Sequence, residues 1–172
     1  MNEARHVGRR GSRAFTKGSW AMRLMGIDLG EKRIGVALSD PSGTVASPLE
    51  VLQATGDDDT DVARLVALAE RHRAEGFVVG LPRTLRGTEE QAAARTADFV
   101  RRLAAASGKP TAVWDERLTT VQAERALLAD GVRRHARRQR IDKVAAALIL
   151  QSYLDAHHGP LEPDAPTDKA DP

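Results

Sequence analysis

Residues 25–39, Met-Gly-Ile-Asp-Leu-Gly-Glu-Lys-Arg-Ile-Gly-Val-Ala-Leu-Ser, constrain the fold more than any other stretch of the chain. They read as an apolar strand, a turn centred on Gly30 and a second apolar strand that returns beside the first. Asp28 stands inside the first arm, and a carboxylate in a core strand is costly unless its charge is used or paired. Gly30, Lys32 and Arg33 let backbone or cations come close to an anion there. This suggests an acidic residue that holds a metal ion against a phosphate; the structural alternative is an Asp that merely starts a turn.

Downstream of the hairpin the periodicity alternates. Pro41-Ser42-Gly43 turns the chain, Pro48 interrupts, and Val51-Leu52-Gln53 offers a third strand. Over 57–75 the apolar residues Val62, Leu65, Val66 and Ala69 fall at helical spacing, with Asp57, Asp58 and Asp59 available as caps and Gly76 as the stop. Phe77-Val78-Val79-Gly80 is a short buried-strand run. A helix follows from Thr88, with Thr88 and Gln91 in a capping-box pattern, to about Ala106, stopped by Gly108-Lys109-Pro110. Residues 111–114 form another strand. A helix capped by Thr119 or Thr120 runs to Ala129, and a last helix spans about 139–157. The order β-β-β-α-β-α-β-α-α predicts an α/β protein with a mixed five-stranded sheet, an antiparallel meander followed by parallel strands, flanked by helices. In such a sheet, strand ends distant in sequence converge on one site.

The 172 residues fit one domain with a sizeable core, built from aliphatic residues because aromatics make up only 3%. With no Cys there is no disulfide or thiolate chemistry, which suits a cytoplasmic location. No apolar run reaches the roughly 20 residues of a spanning helix, and the basic start lacks the apolar segment of a secretory signal. Charge is concentrated at the ends. Residues 1–23 carry six Lys or Arg against Glu3, and residues 155–172 carry five acids against Lys169 with four prolines after His158. Both read as disordered tails, giving a basic extension over 1–22, a domain over 23–157 and an acidic tail over 158–172. Within the domain, Arg133, Arg134, Arg137, Arg138, Arg140 and Lys143 crowd together with only Asp142 opposing them.

Solvation explains most of the acids, but not all. Asp28 lies in a strand, the pair Asp115-Glu116 follows one, and Asp142 opens the last helix. Ala145, Ala146, Ile149 and Tyr153 continue its stripe toward a core or cleft. The small alanines allow the helix to come close enough for Asp142 to reach the first strand; taken singly, Asp142 is better read as a capping residue, and it is the set of three carboxylates that points to a site. Phosphodiester hydrolysis calls for such a set. Two divalent cations roughly 4 Å apart activate the water and neutralise the leaving oxygen, and hard cations take carboxylate ligands. The five His do not cluster as a zinc site, and there is no Walker loop, dinucleotide fingerprint or serine elbow.

Four motifs in order resemble the YqgF/RuvX family of the ribonuclease H-like group. They are Asp28-Leu29-Gly30 with Lys32-Arg33-Ile34-Gly35-Val36-Ala37; Val79-Gly80-Leu81-Pro82; Asp115-Glu116-Arg117-Leu118-Thr119-Thr120; and Ile141-Asp142-Lys143-Val144-Ala145-Ala146 with Ile149-Leu150-Gln151-Ser152-Tyr153-Leu154. The resemblance covers about 23–156 and implies an RNase H-like fold. It also implies a metal-binding triad of Asp28, Asp142 and one acid of the Asp115-Glu116 pair, with Glu116 favoured, served by one or two Mg²⁺ or Mn²⁺ ions. The family is associated with Holliday junction resolution and pre-16S rRNA processing, so the expected partner is nucleic acid and not a membrane. A symmetric junction would call for a homodimer. Lys32, Arg33, Arg83, Arg117, Arg137, Arg138 and Arg140 are candidate phosphate contacts.

Two other functions compete. The Asp-x-Gly hairpin also resembles the phosphate-binding signature of the actin and sugar-kinase superfamily, but those proteins close two domains over a nucleotide and this chain has length for one. An idle RNA-binding factor would lean on base stacking, which scarce aromatics do not supply.

Overall fold

The computed structural model describes residues 22–81, 89–115 and 134–158. β1 (Leu24–Leu29) and β2 (Arg33–Ser39) form the expected hairpin. Gly30 N–H donates to the Arg33 carbonyl at 3.0 Å, and a Cβ on Gly30 would lie 2.5 Å from that oxygen, so the turn requires glycine. β3 (Ala46–Gln53) pairs antiparallel with β2 and runs through Pro48, where the sequence suggested an interruption. The proline is tolerated because β3 is an edge strand and its register shifts at Val36/Ala37.

α1 (Asp58–Arg71) starts at Asp57, whose carboxylate accepts the Thr60 N–H. It stops before Gly76, the expected terminator. The chain leaves the helix through Arg73 at φ 56°, and Ala74 N–H donates back to the Ala69 carbonyl at 2.8 Å. Gly76 instead begins β4 (Gly76–Leu81). α2 (Glu89–Ser107) ends where expected, at Gly108 with φ 67° and a 3.0 Å bond to the Ala104 carbonyl. β5 (Thr111–Asp115) follows, and α3 (Arg134–His158) closes the described chain. Thr88, the helix expected over 119–129 and both terminal tails lie outside the described residues.

The sheet order is β3-β2-β1-β4-β5, antiparallel on the β2 side of β1 and parallel on the β4 side, as the element order required. β1 is therefore central. Its odd-numbered residues Met25, Ile27 and Leu29 join the core under α1 and α2, where Phe77 and Phe99 are fully buried. Each such ring contributes about 1.5–3 kcal/mol through its burial. Leu24 faces the opposite way with Val78 and packs against Ala146, Ile149 and Leu150 of α3.

α3 lies directly on β1. A Cβ built on Gly26 would come within 2.7 Å of Leu150 Cβ and 2.9 Å of the Ala146 carbonyl oxygen. Neither atom is the free end of a side chain, so the helix itself would have to move. Gly26→Ala is expected to destabilise the protein by about 1–3 kcal/mol in urea unfolding. An unchanged midpoint would mean that α3 is not seated on Gly26.

Candidate active site

Asp28 sits third in the central strand's α3-facing row, after Leu24 and Gly26, and is half-buried. Its cross-strand neighbours are Gly35 on β2 and Gly80 on β4. Paired residues share a face of the sheet, so neither cross-strand partner of Asp28 carries a side chain. A glycine at a cross-strand position lets another backbone or a ligand come close to the sheet. Glycine within an apolar strand signals this kind of close approach, but in the sequence nothing tied Gly35 and Gly80 to Asp28.

The hairpin cations lie at the same end of the sheet. Arg33 falls on the Asp28 face, next to Gly35; Lys32 is exposed, and its carbonyl accepts the Ala54 N–H at 2.9 Å.

α3 begins no later than Arg134, so Asp142 does not open the helix as the sequence suggested but lies two turns inside it. A capping role is thereby removed, because the carboxylate of an N-cap must lie at the first turn. Arg134, Arg137, Arg138 and Arg140 are part of the same helix and not a loop that precedes it; Arg133 lies outside the described residues. Arg138 is one turn ahead of Asp142 along the helix, and Ala146 is one turn behind. The direction of α3 follows from Gln151, which accepts the Ala46 N–H at 2.8 Å and donates to the Thr44 carbonyl at 3.1 Å. Ala46 pairs with Ser39, whose Oγ accepts the Leu24 N–H at 2.8 Å. From Ala146 to Gln151 the helix therefore travels from the level of Gly26 toward that of Leu24. Its preceding turn, with Asp142, extends toward the level of Asp28.

Of the two acids of the third motif, β5 includes Asp115. Ala112 and Trp114 pack with α3, on the Asp28 face. Asp115, paired with Leu81, points to the other face and is exposed. Strand alternation could not assign the sides from sequence; the packing of Trp114 does. Glu116, Arg117 and Arg83 lie outside the described residues, as do the side chains of Arg137, Arg138, Arg140 and Asp142. Among the described residues no three His, Asp or Glu side chains gather into a cation site. What is described fits a hard divalent cation: an oxygen donor, half-buried, bordered by glycines, at the carboxyl ends of parallel strands where such sheets place ligands.

A family model described as RuvX, Holliday junction resolvase, matches residues 22–156. A protein of Pelotomaculum thermopropionicum named "Putative pre-16S rRNA nuclease" is 46% identical over 139 residues, 81% of this chain and 90% of that protein. One of the same name from Symbiobacterium thermophilum is 50% identical over 135 residues, 78% of this chain and 93% of that protein. Among solved structures, T. thermophilus RuvC in complex with Holliday junction substrate aligns with a TM-score of 0.50 at 21% identity, covering 80% of this chain and 96% of that one. Fowlpox virus resolvase with substrate Holliday junction DNA aligns at 0.50 and 12% identity, covering 78% and 98%. These structural likenesses establish the RNase H-like fold.

The opposite facing of Asp28 and Asp115 sets a direct test. Mn²⁺ at about 100 times its Kd should stabilise the wild-type protein by about 2.7 kcal/mol, read as a rise in unfolding temperature. Asp28→Asn, which keeps volume and loses charge, should abolish that rise while leaving the metal-free protein as stable as the wild type or more so. Asp115→Asn should keep it. A full Mn²⁺ response in Asp28→Asn would remove Asp28 from the site.

Proposed function

The chain belongs to the RuvX family, and on that premise we propose that this nuclease cuts structured nucleic acid by divalent-metal-dependent hydrolysis of one phosphodiester bond, with the 5′ end of a pre-16S rRNA as the leading substrate. Curated relatives at 46% and 50% identity carry that name, which favours the rRNA precursor. The family description and the RuvC likeness favour a Holliday junction as the second substrate. A nucleotide-binding module is not favoured, since the relatives over this length are named nucleases.

The observation that carries the proposal is Asp28 on the central strand, between two glycines, under the helix that bears Asp142. Asp28, Glu116 and Asp142 are the proposed ligands of one or two Mg²⁺ or Mn²⁺ ions. Glu116 is preferred to Asp115 because Asp115 faces away from Asp28. Bound there, divalent cations lower the pKa of the attacking water and neutralise the departing oxygen. The carboxylates fix that chemistry in space and supply no nucleophile of their own. An oxygen–phosphorus bond forms from water, the ester bond breaks, and the products are a phosphate monoester and a free hydroxyl. Arg33 and Lys32 on the hairpin, Arg83 and Arg117 beyond β4 and β5, and Arg137, Arg138 and Arg140 on α3 are proposed to hold the flanking phosphates. Cleavage of a symmetric junction would pair two such sites in a homodimer; trimming an RNA end would not. A cytoplasmic location is part of this proposal, since ribosomal RNA and chromosomal DNA are substrates found there.

Cleavage of a labelled pre-16S rRNA fragment and a four-way DNA junction, side by side with Mg²⁺ or Mn²⁺ and with solution mass measured, tests this reading. Folded protein that cuts neither would overturn it. Asp28→Asn and Asp142→Asn should each lose nearly all cleavage while still binding nucleic acid, and the double variant should be little worse than either, because ligands of one site act as a unit. Full activity in Asp142→Asn would exclude it from the mechanism. Replacing Arg137, Arg138 and Arg140 by Gln should weaken binding to all sequences alike. The slope of log affinity against log salt should flatten by about 0.9 for each lost contact on duplex DNA. An unchanged slope would leave the cluster as a solvated helix face.

A further inference from the structure

One charged side chain on α3 stands where the packing pattern calls for an apolar one. The face of α3 that meets the sheet is built from Ala146, Ile149, Leu150, Tyr153 and Leu154, all buried. Lys143 precedes Leu150 by seven residues, so the two lie within roughly 20° of each other around the helix. Ala146 and Ala147, three and four residues on, flank the same line. Lys143 therefore continues the sheet-facing stripe toward the start of the helix, and it is half-buried there. Among the described residues its ammonium makes no hydrogen bond or ion pair. Its stem covers apolar surface, which any lysine can do; what sets it apart is where the head lies.

Gly26 lies beneath the turn of α3 between Ala146 and Leu150, the two residues that a Cβ on Gly26 would strike. From the middle of that turn Lys143 is about 7.5 Å along the helix, at roughly 1.5 Å per residue. Asp28 is about 6.6 Å along β1 from Gly26, at roughly 3.3 Å per residue, and on the same face of the sheet. α3 runs antiparallel to β1 over this contact, so both advances go the same way. Lys143 and Asp28 thus stand at one level, the lysine on the helix and the carboxylate on the sheet. Cα–Cβ bonds in a helix tilt toward its start, which carries the lysine head further toward the carboxyl end of β1. We infer that Lys143 is a catalytic residue of the proposed hydrolysis, whose ammonium donates to a non-bridging oxygen of the scissile phosphate from the α3 side of Asp28. The inference rests on the proposed function and adds to it the group that faces the phosphate from the helix. The ammonium transfers no proton. It offsets the charge on the phosphoryl oxygens while water attacks and the ester bond breaks, and a cation already fixed in place does so without reorganisation.

The experiment uses the full chain with Lys143→Met, which keeps the stem and removes the charge, and Lys143→Arg, which keeps a charge; Lys143→Gln takes the place of Lys143→Met if that variant does not fold. The unfolding temperature is read without metal, with Mn²⁺, and with Mn²⁺ plus a nucleoside 5′-monophosphate, a phosphate monoester like the product. Both kcat and KM are read on whichever nucleic acid the wild type cuts. Lys143→Met is expected to unfold within roughly 4 °C of the wild type and to keep the full Mn²⁺ response, since the lysine is no ligand. The added rise from the nucleotide should vanish, and kcat should fall by roughly ten- to a hundredfold, the scale of one lost hydrogen bond to a charged group. KM, set by the many flanking phosphates, should change by less than about threefold. Lys143→Arg should keep most of the nucleotide response and of kcat. Wild-type kcat and nucleotide response in Lys143→Met would overturn the inference. So would a rise in KM alone, which marks a remote backbone contact, or a lost Mn²⁺ response, which marks support of the metal site. A wild type that responds to Mn²⁺ and nucleotide but cuts nothing would sink the nuclease reading, and the nucleotide response of Lys143→Met would still decide the role of Lys143. A wild type with neither response would sink both.

Discussion

The seating of α3 on Gly26 is the contact on which the rest of the structure depends. Ala146 and Leu150 reach so near the β1 backbone that no side chain fits beneath them. That approach buries Leu24, Val78, Ile149 and Leu150 and makes one face of the sheet a core. It also sets the height and direction of the helix, because a helix packed through backbone and Cβ atoms has little freedom to slide. Gln151 fixes the same helix to the start of β3 through two hydrogen bonds, so α3 is tied to the sheet at two levels.

On this frame the central strand departs from its own pattern at one residue. Met25, Ile27 and Leu29 serve the core under α1 and α2, and Leu24 and Gly26 serve the contact with α3. Asp28 would be the next member of the α3 row, where an aliphatic residue would stabilise the fold more. A charge is kept there, and the two positions that could have covered it with side chains are Gly35 and Gly80. Local departures of this kind mark functional sites, where stability is given up for chemistry.

The sheet also divides labour between its ends. The carboxyl ends of β1, β4 and β5 carry Asp28, Leu81 and Asp115, while the hairpin adds Lys32 and Arg33. The opposite end is structural: Ser39, Thr44 and Asp40 knit the β2–β3 connection, and the Ser42 hydroxyl and the Thr44 and Val45 N–H groups hold the Asp40 carboxyl down to about 2. Arg134, Arg137, Arg138 and Arg140 stand ahead of Asp142 along α3.

The sequence by itself determined the hairpin, the order of the described strands and helices, and the caps at Asp57 and Gly108. These are written in periods of two and 3.6 and in residues with narrow backbone preferences. The same local signals set Asp28 apart, since a carboxylate in an apolar strand is visible without any fold. Local pattern misplaced what depends on partners. Pro48 reads as a break until β3 is known to be an edge, and Gly76 reads as a helix stop until Arg73 is seen to take the left-handed turn. Asp142 reads as a cap because the arginines before it look like a loop, whereas they extend the helix by more than a turn. Only tertiary structure decided that Asp28 lies between two glycines, that Asp115 faces away from it, and that Trp114 grips α3. Each of these joins residues dozens of positions apart, and register and helix docking are set by the whole sheet and not by any one segment of the chain.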